Sequence, residues 1–222
     1  MFSKNSSSVP WSRKLFILLH FALIATAAVS ISSPAAAQFS DSYNFLKAVK
    51  DRDGDEATKF LSRPGTVIVN TRDISSGQTG LHIVVARRDK TWLAFLLQKG
   101  ANPNIADKEG LTPLMLATQL RFVEGIKTLL APGKGREQTK VDYQNKQGET
   151  ALIRAVQLRD AELVRLFLKA GANPDRTDTL AGLSARDYAA RDRRAASILA
   201  EIEKSDANKK PETEGRFFGP EG

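Results

Sequence analysis

Only two side chains of this sequence, His20 and His82, carry an imidazole, and there is no cysteine. Histidine is the usual metal ligand and general base near neutrality, so its scarcity weighs against metal or triad chemistry. The lack of thiols excludes disulfides, thiolate metal sites and a cysteine nucleophile. The acids Asp51, Asp53, Asp55 and Glu56 have the spacing of a calcium loop without its remaining ligands or its closing bidentate glutamate. They read as a polar turn between helices. Gly133-Lys134-Gly135-Arg136 has glycines and cations but lacks the phosphate-loop pattern and a preceding strand. It reads as a flexible basic loop. There is no Gly-x-Ser-x-Gly elbow and no His-Glu-x-x-His helix. The sequence therefore assigns no catalytic residue, no cofactor-binding residue and no metal ligand. It predicts a protein that is not an enzyme and carries no cofactor.

Whatever these residues do, a helical scaffold must position them. Apolar residues make up 41% of the 222 positions and aromatics only 7%, so the core must rest on Leu, Ala, Val and Ile. Leu and Ala are strong helix formers, which favours close-packed helices. The net charge is +8, from 33 basic and 25 acidic residues. The first 37 residues hold Lys4, Arg13 and Lys14 and no acid, leaving 30 basic against 25 acidic residues beyond them, or +5. That excess is too diffuse to imply nucleic acid, which calls for a clustered basic stripe.

The N-terminus has the order of a secretory signal. A polar stretch precedes the uncharged apolar run Leu15–Ile31, and Ser32, Ser33 and Pro34 break it before Ala35-Ala36-Ala37. We place the signal peptide at 1–37 and the cut between Ala37 and Gln38. The run of 17 residues falls short of the roughly 20 that span a bilayer. The expected mature protein is exported to a bacterial periplasm, or secreted, without stable membrane insertion. A tethered adaptor with an uncleaved N-terminal helix is the alternative.

Beyond residue 40 the sequence repeats. Similar segments start at Thr79, Thr112, Thr150 and Ser184, and a degenerate earlier copy starts at Tyr43. Each Thr or Ser precedes an apolar pattern of helical spacing, such as Leu114, Ala117 and Leu120, where it can cap a helix. Pro113 suits a first helical position. A second apolar stretch, such as Trp92–Leu97, ends at a glycine such as Gly100, able to close a helix in the left-handed conformation. Two short helices cannot bury their apolar faces alone, so neighbouring units must stack into one core.

The segments Thr79-Gly80-Leu81-His82, Thr112-Pro113-Leu114-Met115-Leu116-Ala117 and Thr150-Ala151-Leu152-Ile153-Arg154-Ala155 approximate the motif T-P-L-H-x-A, with Gly80 and Ala151 in the proline place and Met115 and Ile153 in the histidine place. In phase with them run Gly100-Ala101-Asn102-Pro103-Asn104 and Gly171-Ala172-Asn173-Pro174-Asp175. The chain resembles the ankyrin family over roughly residues 41–203. The resemblance implies an all-α ankyrin-repeat solenoid of about five helix–turn–helix units with projecting fingers. The domain is placed at 38–203, with units near 41–76, 77–109, 110–147, 148–181 and 182–203. Residues 204–222, including Phe217-Phe218, read as a disordered tail. Gly125 falls inside a helix, where glycine costs about 1 kcal/mol relative to alanine. The spacing of 38 from Thr112 to Thr150 implies a longer loop near 131–140.

The resemblance gives Thr79, His82, Thr112, Pro113, Thr150, Gly100 and Gly171 structural roles, with His82 bonding backbone between units. It also implies partner contacts through finger tips and the inner face of the first helices. Arg88, Arg121 and Arg159 occupy similar places in successive copies and are expected to form a concave basic row. Tyr143, Lys108, Lys146 and Arg176 are the expected finger contacts. The expected function is a non-catalytic, monomeric protein–protein interaction module or scaffold of the periplasm or exterior. Its partner is another protein, not nucleic acid. The alternative is a binder of an anionic surface or polymer, lipid headgroups or nucleic acid, through that basic face.

Overall fold

Helix starts are written into the sequence as oxygen-bearing side chains. Thr112, Thr150 and Ser184 accept hydrogen bonds from the amides of Met115 (3.4 Å), Ile153 (3.1 Å) and Asp187 (3.2 Å). Asp53, Asp89 and Asp160 do the same for Glu56 (2.9 Å), Trp92 (3.1 Å) and Leu163 (3.2 Å). Each such cap contributes ~1 kcal/mol. A computed structural model of the chain describes residues 34–133 and 137–209. Most of the expected signal segment, the loop residues Lys134, Gly135 and Arg136, and Phe217-Phe218 lie outside the described residues. The chain divides into two compact units, 1–39 and 40–222, and of the first only the start of α1 is described.

The described residues form ten α-helices in five successive pairs. The first pair is α1 (Pro34–Asp51) and α2 (Gly54–Leu61), and the second is α3 (Gly80–Ala86) and α4 (Lys90–Gln98). The third is α5 (Pro113–Gln119) and α6 (Val123–Leu130), and the fourth is α7 (Ala151–Gln157) and α8 (Ala161–Lys169). The last is α9 (Ala185–Arg191) and α10 (Ala196–Lys209), joined by a 3-10 turn at Arg193–Ala195. Ala37 and Gln38 sit in the first turns of α1. No described helix is long and apolar enough to cross a membrane.

First helices pack on first helices, in the order α3, α5, α7, α9. Leu81, Leu114, Leu152 and Ala189 are buried along that row, and Leu96, Ile126, Phe167 and Ile198 along the second helices. Burying each leucine is worth ~1.5–3 kcal/mol. α4 and α8 close alike. Gly100 and Gly171 take φ of 85° and 87°, and the amides of Ala101 and Ala172 reach back to Leu96 and Phe167. Those bonds satisfy carbonyls a helix end would otherwise orphan.

Two sequence readings change. The tail does not begin at residue 204, because α10 continues to Lys209. Arg186 holds that extension, donating to Asp206 (2.7 Å) and to Asp175 (2.7 Å). Gly125 is not a plain cost to helix stability. A Cβ there would lie 2.2 Å from Cδ1 of Phe122, whose buried ring packs on the glycine. The longer loop rejoins the stack through Asn104, whose amide donates to the Gln138 carbonyl (2.8 Å) and whose oxygen accepts from the Lys140 amide (2.7 Å).

Candidate functional surface

Each of α3, α5, α7 and α9 has a finger at its N-terminal end and a turn to the second helix at its C-terminal end. The two ends are built by different means.

At the finger end, neighbouring backbones touch. Gly77, Gly110 and Gly148 turn the tips with φ of 74°, 82° and 73°. A Cβ on them would lie 2.9, 2.8 and 2.6 Å from the amide nitrogens of Lys108, Lys146 and Thr179 in the next finger. Lys108 N–H donates to the Ser76 carbonyl and Thr179 N–H to the Gln147 carbonyl, both at 2.9 Å. Side chains add ties. Arg72 donates to the Ala106 carbonyl (2.7 Å), Gln144 to the Thr177 carbonyl (2.9 Å) and Arg176 to the Asp142 carbonyl (3.0 Å). The tip of the first of these fingers folds onto Asp73. The hydroxyl of Ser75 and the amide and hydroxyl of Ser76 hydrogen-bond its carboxylate and lower its pKa to about 2.

His82 links two units at this end. Thr79 N–H donates to Nδ1 (3.1 Å), so Nδ1 carries no proton, and Nε2–H donates to the Leu111 carbonyl (2.9 Å). This is the neutral tautomer, and burial lowers its pKa. Its equivalent in the last unit, Asp187, accepts from Ser184 N–H (2.9 Å) in the same capping geometry. Nearby, Tyr188 donates to buried Asp178 (2.6 Å). That bond and backbone amides outweigh burial and hold the Asp178 carboxyl below its ordinary range.

At the turn end, side chains join the units. Arg88, Arg121 and Arg159 lie here, at the ends of the first helices opposite the fingers. Each sits next to the C-cap with positive φ, 56°, 51° and 54°, and Arg52 joins them at 60°. Their guanidiniums reach the next unit. Arg52 Nε pairs with Asp89 (2.9 Å) and Arg159 Nε with Asp192 (2.6 Å). Arg121 donates from Nη2 to the Leu158 carbonyl (2.8 Å) and lies 3.6 Å from Asp160. Arg88 donates to the Leu120 carbonyl (2.7 Å). The row exists, but its members act as braces. The sequence signal for this was the dipeptide Arg-Asp at 52–53, 88–89 and 159–160, which sets brace and cap side by side.

Of the expected finger contacts, Lys108 and Lys146 project, exposed, from successive tips, with no ion pair among the described residues. Arg176 is tied to its neighbour, and Tyr143 packs half-buried against the core. A cleft of about 10 Å³, room for about one water, lies between α5 and α7 beside Met115, Glu149 and Arg154. It is below the ~300 Å³ of a ligand pocket. Donors from Arg154 (2.7 Å), Asn145 (3.2 Å) and Gln157 (3.2 Å) already engage both oxygens of the Glu149 carboxylate. Among the described residues no group of three or more His, Cys, Asp or Glu can hold a metal ion.

A family model of ankyrin repeats in three copies matches residues 45–142, and a model of a single ankyrin repeat matches residues 147–179. The fifth helix pair lies beyond both matches. Ankyrin repeats generally mediate protein–protein interaction, and proteins built of them are typically non-catalytic binding modules. With matches over more than half of its 222 residues and a helical stack to go with them, this chain belongs to the ankyrin-repeat family.

Proposed function

We propose that the chain is an exported, non-catalytic scaffold that binds another protein through its finger edge. The signal-like order of residues 1–37 supports export to a periplasm or the exterior. The mature protein acts there as a monomer, free of stable membrane insertion. The observation that carries the binding reading is the pair of exposed lysines, Lys108 and Lys146, on successive tips whose backbone is already fixed by neighbouring fingers. Affinity then comes from a surface whose ordering is complete before the partner arrives.

An affinity capture from the exported fraction of the native host tests this, with residues 38–222 as bait and a Lys108→Ala/Lys146→Ala variant as control. A protein retained by the parent and lost by the variant is the expected result. Recovery of only anionic polymers, released steeply by moderate salt, would overturn the protein-binding reading in favour of the anionic-surface one.

A further inference from the structure

Four arginines stand at equivalent turns, and three of them hold a carboxylate of the next unit: Arg52 holds Asp89, Arg121 holds Asp160 and Arg159 holds Asp192. The fourth, Arg88, faces a unit in which Phe122 occupies the place of that aspartate. Phe122 is buried and provides no side-chain cap for α6. Arg88 keeps the left-handed backbone of the series and spends Nη2 on the Leu120 carbonyl. Its Nε and Nη1 have no partner among the described residues, although Arg52 and Arg159 use Nε to take their carboxylate.

Arg88 itself is the charge left over. Its sequence neighbours Arg87 and Lys90, and Arg121 of the next turn, each hold a carboxylate of the chain. The carboxylates of Asp89, Glu124 and Asp160 are each already paired, with Arg52 and Arg87, with Lys90 and Lys127, and with Arg121.

We infer that Arg88 is an anchor for an aspartate or glutamate side chain of the partner protein, which supplies the carboxylate missing from this one junction. The free Nε–H, the group through which Arg52 and Arg159 take their carboxylate, suits a charged hydrogen bond to a carboxylate, and the backbone and Nη2 of Arg88 are already fixed. This inference rests on the partner-binding reading above, but uses the turn edge and not the fingers.

The test is an NMR titration of the full-length chain, labelled at arginine Nε, with hexaglutamate peptide. Hexaglutamine and inorganic phosphate serve as controls. The Arg88 Nε–H resonance shifts saturably with hexaglutamate and not with hexaglutamine, while those of Arg52 and Arg159 stay in place. Arg88→Asn, a residue that tolerates the left-handed conformation, weakens peptide binding about tenfold, as expected for one lost charged hydrogen-bond pair. Phe122→Asp, by supplying a carboxylate within the chain, weakens it as well. Equal movement of all three resonances overturns the inference, as does unchanged affinity in Arg88→Asn. An equal response to phosphate overturns the choice of a carboxylate. A free-state Arg88 resonance already coincident with those of Arg52 and Arg159 overturns the vacancy, because a carboxylate of the chain itself then holds that edge. A protein partner still captured by Arg88→Asn removes this anchor and leaves the finger-edge reading standing.

Discussion

The two ends of the first helices solve one problem, joining unit to unit, with opposite materials. At the finger end, main chain meets main chain, and three tip glycines leave no room for a side chain. At the turn end, long arginine side chains bridge the gap, and one junction has lost its carboxylate without losing the stack. Backbone contact fixes register and tolerates little. Side-chain bracing is adjustable, and its exposed ion pairs are individually weak. The turn edge is therefore where the sequence can vary, and where a vacancy can be put to use.

Between the two ends, the largest effect should come from filling a finger tip. Gly148→Ala places a Cβ 2.6 Å from the Thr179 amide at a φ of 73°. We expect a loss of about 2–3 kcal/mol in denaturant unfolding, from strain and a backbone clash together. Gly100→Ala sharpens the comparison, since its φ is 85° but nothing lies within 4 Å of the added atom. It should cost only the conformational part, about 1 kcal/mol. Similar losses for both would show that finger contact contributes nothing.

Gly125→Ala should come next. Helix propensity alone predicts a gain of about 1 kcal/mol. The Phe122 ring lies where the methyl must go, so the unfolding midpoint should fall. A rise would mean that Phe122 moves aside freely. The braces should matter less. Arg159→Ala removes an exposed pair with Asp192, and the loss should stay within about 1 kcal/mol. Arg88→Ala, with no carboxylate to lose, should cost less still. An Arg88 effect exceeding the Arg159 effect would contradict the vacancy.

The smallest effect is pH-dependent. The folded His82 pKa is lowered from 6.5, so the unfolded chain binds the proton first as pH falls. The contribution of neutral His82 is complete above that value and is lost as pH drops through it toward the folded value. Melting curves from about pH 7.5 to about pH 5.5 should show a fall in midpoint that is smaller in His82→Gln. Equal slopes would mean that His82 does not titrate on unfolding.

The repeat, its caps and its closing glycines were legible because each acts within its own few residues. Thr112, Pro113 and Gly100 announce helix ends without knowledge of the neighbours. The arginine row was legible as a periodicity, yet its role was not. Their place at first-helix ends was legible too, but only the structure reveals that Arg88, Arg121 and Arg159 take left-handed backbones there and reach into the next unit. Gly125 misled because its constraint comes from a ring three residues away that replaces an aspartate. The helical extension past residue 204 was hidden in a polar stretch. Its anchor, Arg186, lies 20 residues earlier, where the repeat motif has an apolar residue.

The central claim is that the five helix pairs share one core, so that a fault in one unit is felt by all. Leu114 is 1% exposed in the middle of the first-helix row. Leu114→Asp buries an unpaired charge there, at a cost of several kcal/mol. Its thermal unfolding should remain a single cooperative transition at a much lower midpoint, or be lost altogether. A midpoint equal to the parent's would contradict the shared core.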